Sequence, residues 1–418
     1  MRHATHSPRR VGRREFGART AASLAAVAAA ARQVRGAGDR IGVGIIGCGG
    51  RGTAHMHVLR ALKSRGEEVE IVALCDTYRP RLARAAQLTG AAFATMKHEE
   101  LVAREDVDIV LVATPDHWHG IHTIDAMRAG KDVYCEKPLA HWRQLGLPER
   151  MVRVAEETKR LVQVGCQRMS STAYAQARAL IREGAIGTLL MASTGYYRIG
   201  DWGERGMPID DPNAAPGADL DWERFQGDAP KHDFDASRYF RWRMYWDYSG
   251  GPGTDNYVHF YTPLAYMMDL GYPDRVVATG GKFRYEEREV PDTFNMIADY
   301  PDRITVLCHG TQGNDFQTLG SGEQPLIRGW DGTLSIEGAQ VVVRPTSGSA
   351  KPALALPIAA GTDEQRFWRD FLVCCRARTQ PESGIALNAA VATTLQMATL
   401  AMRESRCVRF DQAGKKVV

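Results

Sequence analysis

Three residues of this chain have side chains suited to moving a proton at an oxygen atom. Asp255 and His259 are four positions apart, a spacing that places two side chains on one face of a helix, and Thr254 is a good N-cap for that helix. His259 can act as a general base near neutral pH, and Asp255 can fix its tautomer. Lys137 can donate a hydrogen bond to a reacting oxygen and stabilise developing negative charge. These residues suit the oxidation of an alcohol, although an Asp and a His at this spacing also occur by chance on many helices.

A glycine-rich turn connects a strand pattern to a helix pattern near residue 50. Residues 41–46 form an apolar run typical of a buried parallel strand, and residues 47–52 match G-x-G-x-x-G. The first glycine permits a tight turn, the second lets a pyrophosphate approach the backbone, and the third lets the helix pack on the strand. The free N–H groups of the helix start favour phosphate. The residues that we expect to hold a dinucleotide here are Gly47, Gly49, Gly50, Arg51 and Gly52.

An acidic residue follows the second strand pattern where it can recognise a ribose. The strand predicted at residues 69–75 ends at Asp76, 24 residues beyond the last glycine of the motif. A dinucleotide-binding fold places an acid here to bind the ribose 2′-hydroxyl. A carboxylate repels a 2′-phosphate, so Asp76 favours NAD over NADP, while Arg79 keeps NADP possible. The alternative is a glycine-rich turn followed by an unrelated surface aspartate.

Two further strand patterns end in residues that can contact a bound nucleotide. The run 108–113 ends before Thr114-Pro115, and the run 132–135 ends before Glu136. Ligands of open α/β sheets collect at the carboxyl ends of the strands. The other residues of the predicted cofactor site are therefore Thr114, Pro115, His119, Glu136 and Gln167.

The histidine and cysteine spacings do not indicate a metal. His117 and His119 lie at one predicted helix start, but a spacing of two points helical side chains apart. The eight cysteines include no C-x-x-C pair, and several fall in strand patterns where a free thiol behaves as a small hydrophobe. We therefore predict no metal site and no disulfide framework.

Residues 196–250 are irregular and rich in aromatic side chains. A connection this long in a compact domain is usually functional or disordered, and its aromatic content favours order. Flat aromatic faces can bind the apolar faces of sugar rings, while the alternatives are a small core packed on a sheet or a contact between subunits. The candidate substrate-binding residues are Trp118, Tyr197, Trp246 and Tyr257.

The bulk composition favours a two-domain soluble enzyme. The chain has 418 residues, of which 44% are hydrophobic and 24% charged. Its formal charge of +4 comes from residues 1–31, which hold six arginines and one acid; the rest of the chain has a net charge of −1. The body of the protein therefore shows no bias toward nucleic acid or anionic membranes.

Residues 1–35 are interpreted as a targeting segment rather than as part of the fold. Arg13-Arg14-Glu15-Phe16 precedes a weakly apolar run at 21–31, a pattern that resembles a twin-arginine export signal and is too short to span a bilayer. We expect the twin-arginine export machinery as a partner and a periplasmic location after folding in the cytoplasm. The alternative is a disordered basic arm that stays attached.

Strand patterns dominate the second half of the chain. We predict strands at residues 189–197, 276–285, 293–300, 304–310, 332–337 and 340–344, with 352–357 as a connection. The predicted helices are at residues 117–130, 173–183, 364–376 and 386–403.

Taken in order, these motifs resemble the glucose–fructose oxidoreductase, inositol dehydrogenase and MocA family. The matching marks are the glycine motif, Thr114-Pro115 with His119, Glu136-Lys137-Pro138, and Asp255-x-x-x-His259. The resemblance implies an α/β fold: a Rossmann domain at residues 40–165 and a C-terminal α/β domain at 166–418 with an open, largely antiparallel sheet. That sheet is expected to form the substrate site and an oligomer face, and the C-terminal helices to pack back on the Rossmann domain.

The resemblance also implies a catalytic set and leaves the substrate open. Lys137, Asp255 and His259 are the implied catalytic residues. Two departures from the family pattern, at residues 139–148 and 256–257, fall near the expected pocket and so affect the substrate rather than the chemistry.

The function that we expect is an exported NAD-dependent oxidoreductase acting on a ring hydroxyl of a sugar, glycoside or cyclitol, as a homodimer or homotetramer. One alternative is a glycoside hydrolase or lyase that uses tightly bound NAD and a transient keto-sugar. Another is a sugar sensor without catalysis, against which the intact Lys137 and His259 count.

Overall fold

The computed structural model describes residues 40–200, 206–318 and 324–418. The export segment predicted at residues 1–35 lies outside the described residues and stays a prediction.

The first sheet is parallel, with six strands in the order β3-β2-β1-β4-β5-β6. Its strands are β1 Ile41–Ile46, β2 Val69–Cys75, β3 Phe93–Thr95, β4 Ile109–Val112, β5 Asp132–Cys135 and β6 Val162–Val164. Its helices are α1 Gly50–Ser64, α2 Arg79–Thr89, α3 His98–Val102, α4 Asp116–Arg128 and α5 Leu147–Thr158. Strands β1, β4 and β5 are buried along their whole length, as expected where helices cover both faces of a parallel sheet. The order of the strands is that of a doubly wound dinucleotide-binding sheet.

The second sheet has eleven strands in the order β15-β14-β13-β12-β7-β10-β9-β8-β16-β17, with β11 paired to β7. They are β7 Leu189–Ile199, β8 Arg275–Gly281, β9 Thr293–Tyr300, β10 Ile304–Thr311, β11 Gly313–Asn314, β12 Leu326–Gly329, β13 Gly332–Glu337, β14 Gln340–Pro345, β15 Leu354–Pro357, β16 Val408–Asp411 and β17 Lys416–Val417. Within the part of the chain that the structure describes, β7 and β10 pair in parallel and the other pairs of this sheet are antiparallel. The predicted fold class is confirmed.

One predicted connection is an edge strand. Residues 352–357 were expected to be a connection, but Leu354–Pro357 pairs with β14. The run is short and ends in proline, which cannot donate to a ladder and is confined to strand ends and sheet edges. The sequence signal for a strand is correspondingly weak.

The remaining helices lie on the second sheet, in the segment that follows β7, or against the first domain. They are α6 Thr172–Arg182, α7 Trp222–Gln226, α8 Ala236–Phe240, α9 Pro252–Asp255, α10 Val258–Met268, α11 Glu364–Ala377 and α12 Ile385–Glu404. Helix α12 packs on β8 and α10, and α11 packs on α1 of the first domain. The Trp368 ring of α11 stacks on Tyr134 of β5, with ring centroids 4.3 Å apart. The C-terminal part of the chain therefore supports the strand that leads to Lys137.

Helix α12 is, among the described residues, the one helix long and apolar enough to cross a membrane. Its mean hydropathy is 1.4, and 78% of its most apolar window is buried in the fold. A central helix of a large core has these properties without any membrane.

A long segment between β7 and α9 crosses the carboxyl ends of the first sheet. We name its described part, residues 206–248, the strap. The aromatic side chains of the strap form a cluster of their own around Trp222, Phe225 and Tyr239, against Tyr78 of the first domain. The small-core interpretation therefore holds for most of these aromatic residues.

Candidate functional site

The glycine turn after β1 is shaped for a phosphate at the start of α1. Gly47 has φ of +95°, and a Cβ on it would lie 2.5 Å from the Ala113 carbonyl oxygen. A Cβ on Gly52 would lie 1.9 Å from the Gly47 oxygen, whereas one on Gly50 would meet no atom within 4 Å. The N-cap is Gly49, without a side-chain cap, so the first N–H groups of the helix face the cleft. The turn fits a dinucleotide pyrophosphate.

A cleft of about 500 Å³ runs from this turn past Asp76 to Lys137. The Asp76 carboxylate accepts hydrogen bonds from the backbone N–H groups of Cys48 and Tyr78, at 2.7 and 2.9 Å. Burial raises the pKa of Asp76, and Arg81 opposes that shift. A carboxylate can accept about four hydrogen bonds, so Asp76 retains capacity for ribose hydroxyls.

Thr114, Pro115 and His119 line the middle of the cleft, as predicted for cofactor-binding residues. The His119 ring nitrogens lie 2.6 Å from the Pro138 carbonyl oxygen and 2.8 Å from that of Thr114. Burial lowers the pKa of His119, so the neutral ring donates to one of the two oxygens. His119 thereby ties together the loops that follow β4 and β5.

Glu136 lies on the cleft wall and is held by a group of buried polar side chains. Arg51 donates to its carboxylate at 2.7 Å and Gln167 at 3.0 Å. Trp368 donates to Nδ1 of His55, which places the His55 proton on Nε2, 2.8 Å from the same carboxylate. Burial alone would raise the pKa of Glu136, but Arg51 and His55 hold it well below its usual range.

Two residues predicted to bind the cofactor directly are thus mainly supports for Glu136. Arg51 borders the cleft but also pairs with Glu364 of α11, and Gln167 bonds Tyr134 and Glu136 without lining the cleft. The position of Arg51 within the glycine motif could be predicted from sequence. The carboxylates that it bonds could not, because Glu364 is more than 300 residues away.

Lys137 is fixed at the end of the cleft by Asp255. Its ammonium donates to the Asp255 carboxylate at 2.6 Å and to the Asp255 backbone carbonyl at 2.8 Å. The Arg243 guanidinium lies 3.4 Å from the other carboxylate oxygen. Burial alone would raise the pKa of Asp255, but Lys137 and Arg243 hold it below its usual range. Lys137 keeps one N–H for a ligand oxygen.

Asp255 and His259 lie on two successive helices rather than on one. Helix α9 ends at Asp255 and α10 begins at Val258, with Asn256 and Tyr257 as the break. The Asp255 carboxylate is therefore turned to Lys137 and Arg243. The interruption lies in the hydrogen bonding, because the N–H groups of Asn256 and Tyr257 both donate to the Pro252 carbonyl, and helical spacing cannot show this.

His259 nevertheless belongs to the same electrostatic site. Burial and then the Lys137 charge lower the pKa of His259 to about 3, while Asp255 and Glu136 act in the opposite direction. The ring is half-buried and, among the described residues, has no hydrogen-bond partner. A neutral imidazole with a free nitrogen can accept a proton from a ligand hydroxyl.

Of the four predicted substrate-binding aromatic residues, one lines the cleft. Trp118 does so, and its ring stacks on His122 with centroids 4.7 Å apart. Tyr257 is buried and donates to the Phe294 carbonyl, and Tyr197 donates to or accepts from His309 on the second sheet. Trp246 packs against Trp142 under Arg403. These three are corrections: aromatic content predicts contact, but not which partner is contacted.

Two residues of the site were missed by the sequence analysis. Arg243 of the strap lines the cleft and reaches Asp255, and no local pattern marks it. Asp116, the first residue of α4, is fully buried near Lys137, Arg243 and Asp255. Its position directly after a strand end was the available signal. Among the described residues, no group of three His, Cys, Asp or Glu side chains could hold a metal ion.

The fold and this cleft define a two-domain protein with a nicotinamide-dinucleotide site. Residues 41–166 match the family described as "Oxidoreductase family, NAD-binding Rossmann fold", and residues 172–418 match "Oxidoreductase family, C-terminal alpha/beta domain". The chain belongs to this Gfo/Idh/MocA oxidoreductase family, and NAD is the cofactor of its Rossmann domain.

Relatives of known name share part of the chain. A glycosyl hydrolase family 109 protein of Shewanella sp. (strain W3-18-1) is 31% identical over 179 residues, which are 39% of this chain. The chain spans about a third of the length of such curated relatives, 36% in this case.

Solved structures share the whole fold at lower identity. The WlbA dehydrogenase from Bordetella pertussis, in complex with NADH and UDP-GlcNAcA, has a TM-score of 0.65 and 20% identity, covering 89% of this chain and 99% of its own. A levoglucosan dehydrogenase in complex with NADH and levoglucosan has a TM-score of 0.66 and 19% identity, with 88% and 99% covered. These similarities show the fold.

Proposed function

We propose that this protein is an NAD-dependent oxidoreductase that oxidises or reduces a ring hydroxyl or ketone of a sugar, glycoside or cyclitol. One observation carries the proposal. The Lys137 ammonium, with one remaining donor, lies at the end of an NAD-binding cleft, and the neutral His259 imidazole is close enough for the Lys137 charge to lower its pKa. An alcohol needs both groups when its proton leaves and charge develops on its oxygen.

Lys137, His259 and Asp255 have different roles at that oxygen. Lys137 donates a hydrogen bond to it, which lowers the pKa of the bound hydroxyl and stabilises negative charge. His259 accepts the hydroxyl proton. Asp255 holds Lys137 in place through two hydrogen bonds, so the ammonium needs no rearrangement when the substrate binds. Bound NAD supplies the acceptor for the hydride.

The substrate class is supported by the neighbours. The levoglucosan dehydrogenase and WlbA structures contain levoglucosan and a nucleotide sugar, beside NADH. Both bind sugars on the same fold, and the cleft of this chain ends in groups that hydrogen-bond hydroxyls.

Replacing Lys137 tests the proposal. Lys137→Ala is expected to lower turnover of the substrate found in a panel of sugars, glycosides and cyclitols by at least about 100-fold. The nucleotide content of the purified protein should stay unchanged, because Lys137 is not bonded to the glycine turn. Lys63→Ala, at an exposed lysine of α1, is the control. Undiminished turnover in Lys137→Ala would overturn the assignment.

A second candidate is a redox-neutral glycoside hydrolase with tightly bound NAD. Family 109 glycosyl hydrolase relatives favour it, and so does the strap, which covers the adenosine end of the cleft. Native mass spectrometry of purified protein would show whether the nucleotide stays bound. Release of the aglycone from a chromogenic glycoside without net NADH would select this candidate, and NADH formed in step with sugar oxidation would exclude it.

We also propose export through the twin-arginine route to the periplasm. The paired arginines before a weakly apolar run support it. Residues 1–35 fused to a folded reporter should direct it to the periplasm, and replacing both Arg13 and Arg14 by lysine should stop this. Export that persists in the double-lysine fusion would contradict the proposal.

A further inference from the structure

Two arginines lie at the adenosine end of the cleft, beside Asp76. Arg81 and Arg84 are on successive turns of α2, and both line the cleft with Asp76 and Thr77. They have the character of a 2′-phosphate site, because guanidinium groups after the second strand of a Rossmann sheet hold the extra phosphate of NADP. The family match nevertheless gives NAD as the cofactor.

An acid from the strap occupies both arginines. Oδ2 of Asp210 accepts from Arg81 Nε at 2.9 Å and from Arg84 at 2.8 Å. The Asp210 and Arg81 side chains are 16% and 17% exposed, so this ion pair is shielded from solvent. Burial alone would raise the pKa of Asp210, but the two arginines hold it below its usual range, and it is ionised at neutral pH.

The charges at this end of the cleft balance with Asp210 in place. Asp76 and Asp210 are two anions facing two guanidinium groups. A 2′-phosphate would have to displace Asp210 from both arginines while facing Asp76. Without the Asp210 carboxylate, the same site would have an excess of one positive charge and free guanidinium donors.

Arg79, the arginine considered above as a contact to NADP, takes no part in the ion pairs of Asp210. Its side chain is exposed and donates to the Ala218 carbonyl of the strap. It does not line the cleft.

We propose that Asp210 is the residue that makes this protein select NAD over NADP, by occupying Arg81 and Arg84 as a built-in substitute for the 2′-phosphate. Asp210 is 134 residues from Asp76, so the selectivity is encoded outside the Rossmann domain.

Nucleotide content tests the proposal without an activity assay. Wild type and Asp210→Asn, which keeps the shape of the side chain and removes its charge, are purified from the same cells. Each is analysed directly, and again after incubation with equal excess NAD and NADP. The nucleotides released on denaturation are quantified by mass spectrometry. We expect the bound NADP-to-NAD ratio to rise at least about tenfold in Asp210→Asn, because both guanidinium groups are then free to bind the 2′-phosphate.

Three further variants distinguish a change in nucleotide selectivity from a loss of contact between the strap and the first domain. Asp211→Asn, which removes the neighbouring carboxylate that accepts from the Asn213 N–H, should leave the ratio unchanged. Arg84→Gln in the Asp210→Asn background should reverse much of the gain. Asp210→Ser provides a second route should the asparagine variant not fold. An unchanged ratio, or an equal loss of both nucleotides, would overturn the proposal and leave Asp210 as a strap contact only.

Discussion

Asp116 is a buried carboxyl group with little to stabilise its ionised form. It is fully buried, and neither carboxyl oxygen has a well-formed hydrogen bond to a described residue, although the Ser249 hydroxyl is near enough to oppose the rise of its pKa. Burial and the nearby Asp255 raise the pKa of Asp116 to about 8, although Arg243 and Lys137 act against the shift. Asp116 therefore holds a proton at neutral pH, beside the ionised Asp255.

The free energy of unfolding should depend on whether Asp116 carries this proton. An unfolded aspartate ionises near pH 4, whereas native Asp116 resists ionisation up to about pH 8, so the group costs increasing stability as pH rises between those values. Asp116→Asn cannot ionise. It should match wild type near pH 4 and be more stable at pH 8, by up to about 5 kcal/mol, because each unit of pKa difference is worth about 1.4 kcal/mol. Thermal unfolding at several pH values measures the difference.

An exposed aspartate serves as the control, because its effect on stability should have the opposite dependence on pH. Asp106 is paired with Arg104, which lowers its pKa, so its contribution is present above pH 4 and lost as pH falls below its native value. Asp106→Asn should therefore be slightly less stable than wild type at neutral pH. A stability gap for Asp116→Asn that does not grow with pH would contradict the assigned pKa.

The residue types at the site could be predicted from sequence more readily than their partners. Lys137 and Glu136 follow a strand end, a position that the parallel sheet brings to the cleft. Arg243 and His55 could not be predicted, because one reaches the site from an irregular segment and the other acts through Trp368. Pairings between distant segments depend on the packing of both, and local patterns contain no information on it.

At the scale of elements, the strap is joined to the first domain at several points. The Phe225 carbonyl accepts from Trp118 and lies 2.8 Å from a His117 ring nitrogen, and the Tyr239 hydroxyl lies 3.0 Å from Thr77. Gly227 lies against the Trp118 ring, where a Cβ would be 2.4 Å from the nearest ring atom. The strap therefore closes on α4 only because residue 227 has no side chain.

Gly227→Ala should loosen this closure. The substitution adds the strain of a φ of +52° to a clash with Trp118, whose ring is already stacked on His122. We expect about 2–4 kcal/mol lower stability and faster loss of bound NAD during gel filtration. Gly338→Ala has a similar φ of +55° but open space around its Cβ, so it isolates the backbone strain. Equal NAD loss in both variants would mean that the contact with Trp118 does not hold the cofactor.

Strand positions were predictable where burial and alternation were regular. Strands β9 and β13 match the predicted ranges residue for residue, because alternating apolar residues leave one register with a buried face. The break between α9 and α10 and the edge strand β15 were not predictable. The edge strand depends on a neighbour in space, since β14 supplies the partner of β15.

At the scale of the whole molecule, the second sheet leaves an apolar row on the face opposite its helices. Val277, Ile297 and Leu307 are cross-strand neighbours on β8, β9 and β10. Val277 is 41% and Ile297 42% exposed. The side chains of the alternate positions on these strands, such as Val276 and Val306, are buried in the core.

This row supports the expectation that the protein is a homo-oligomer which uses the open face of the sheet. Ile297→Asp places a charge at the centre of the row, and burying that charge between two subunits would be costly without a partner. We expect light scattering after gel filtration to show a dimer or tetramer for wild type and a smaller species for Ile297→Asp, with the monomer fold retained. Leu190→Asp, at a leucine of similar exposure whose side chain is on the other face of the sheet, should assemble as wild type does. A monomeric wild type would contradict the expected homo-oligomer. Assembly that Ile297→Asp leaves intact, whether or not Leu190→Asp disrupts it, would place the contact elsewhere on the surface.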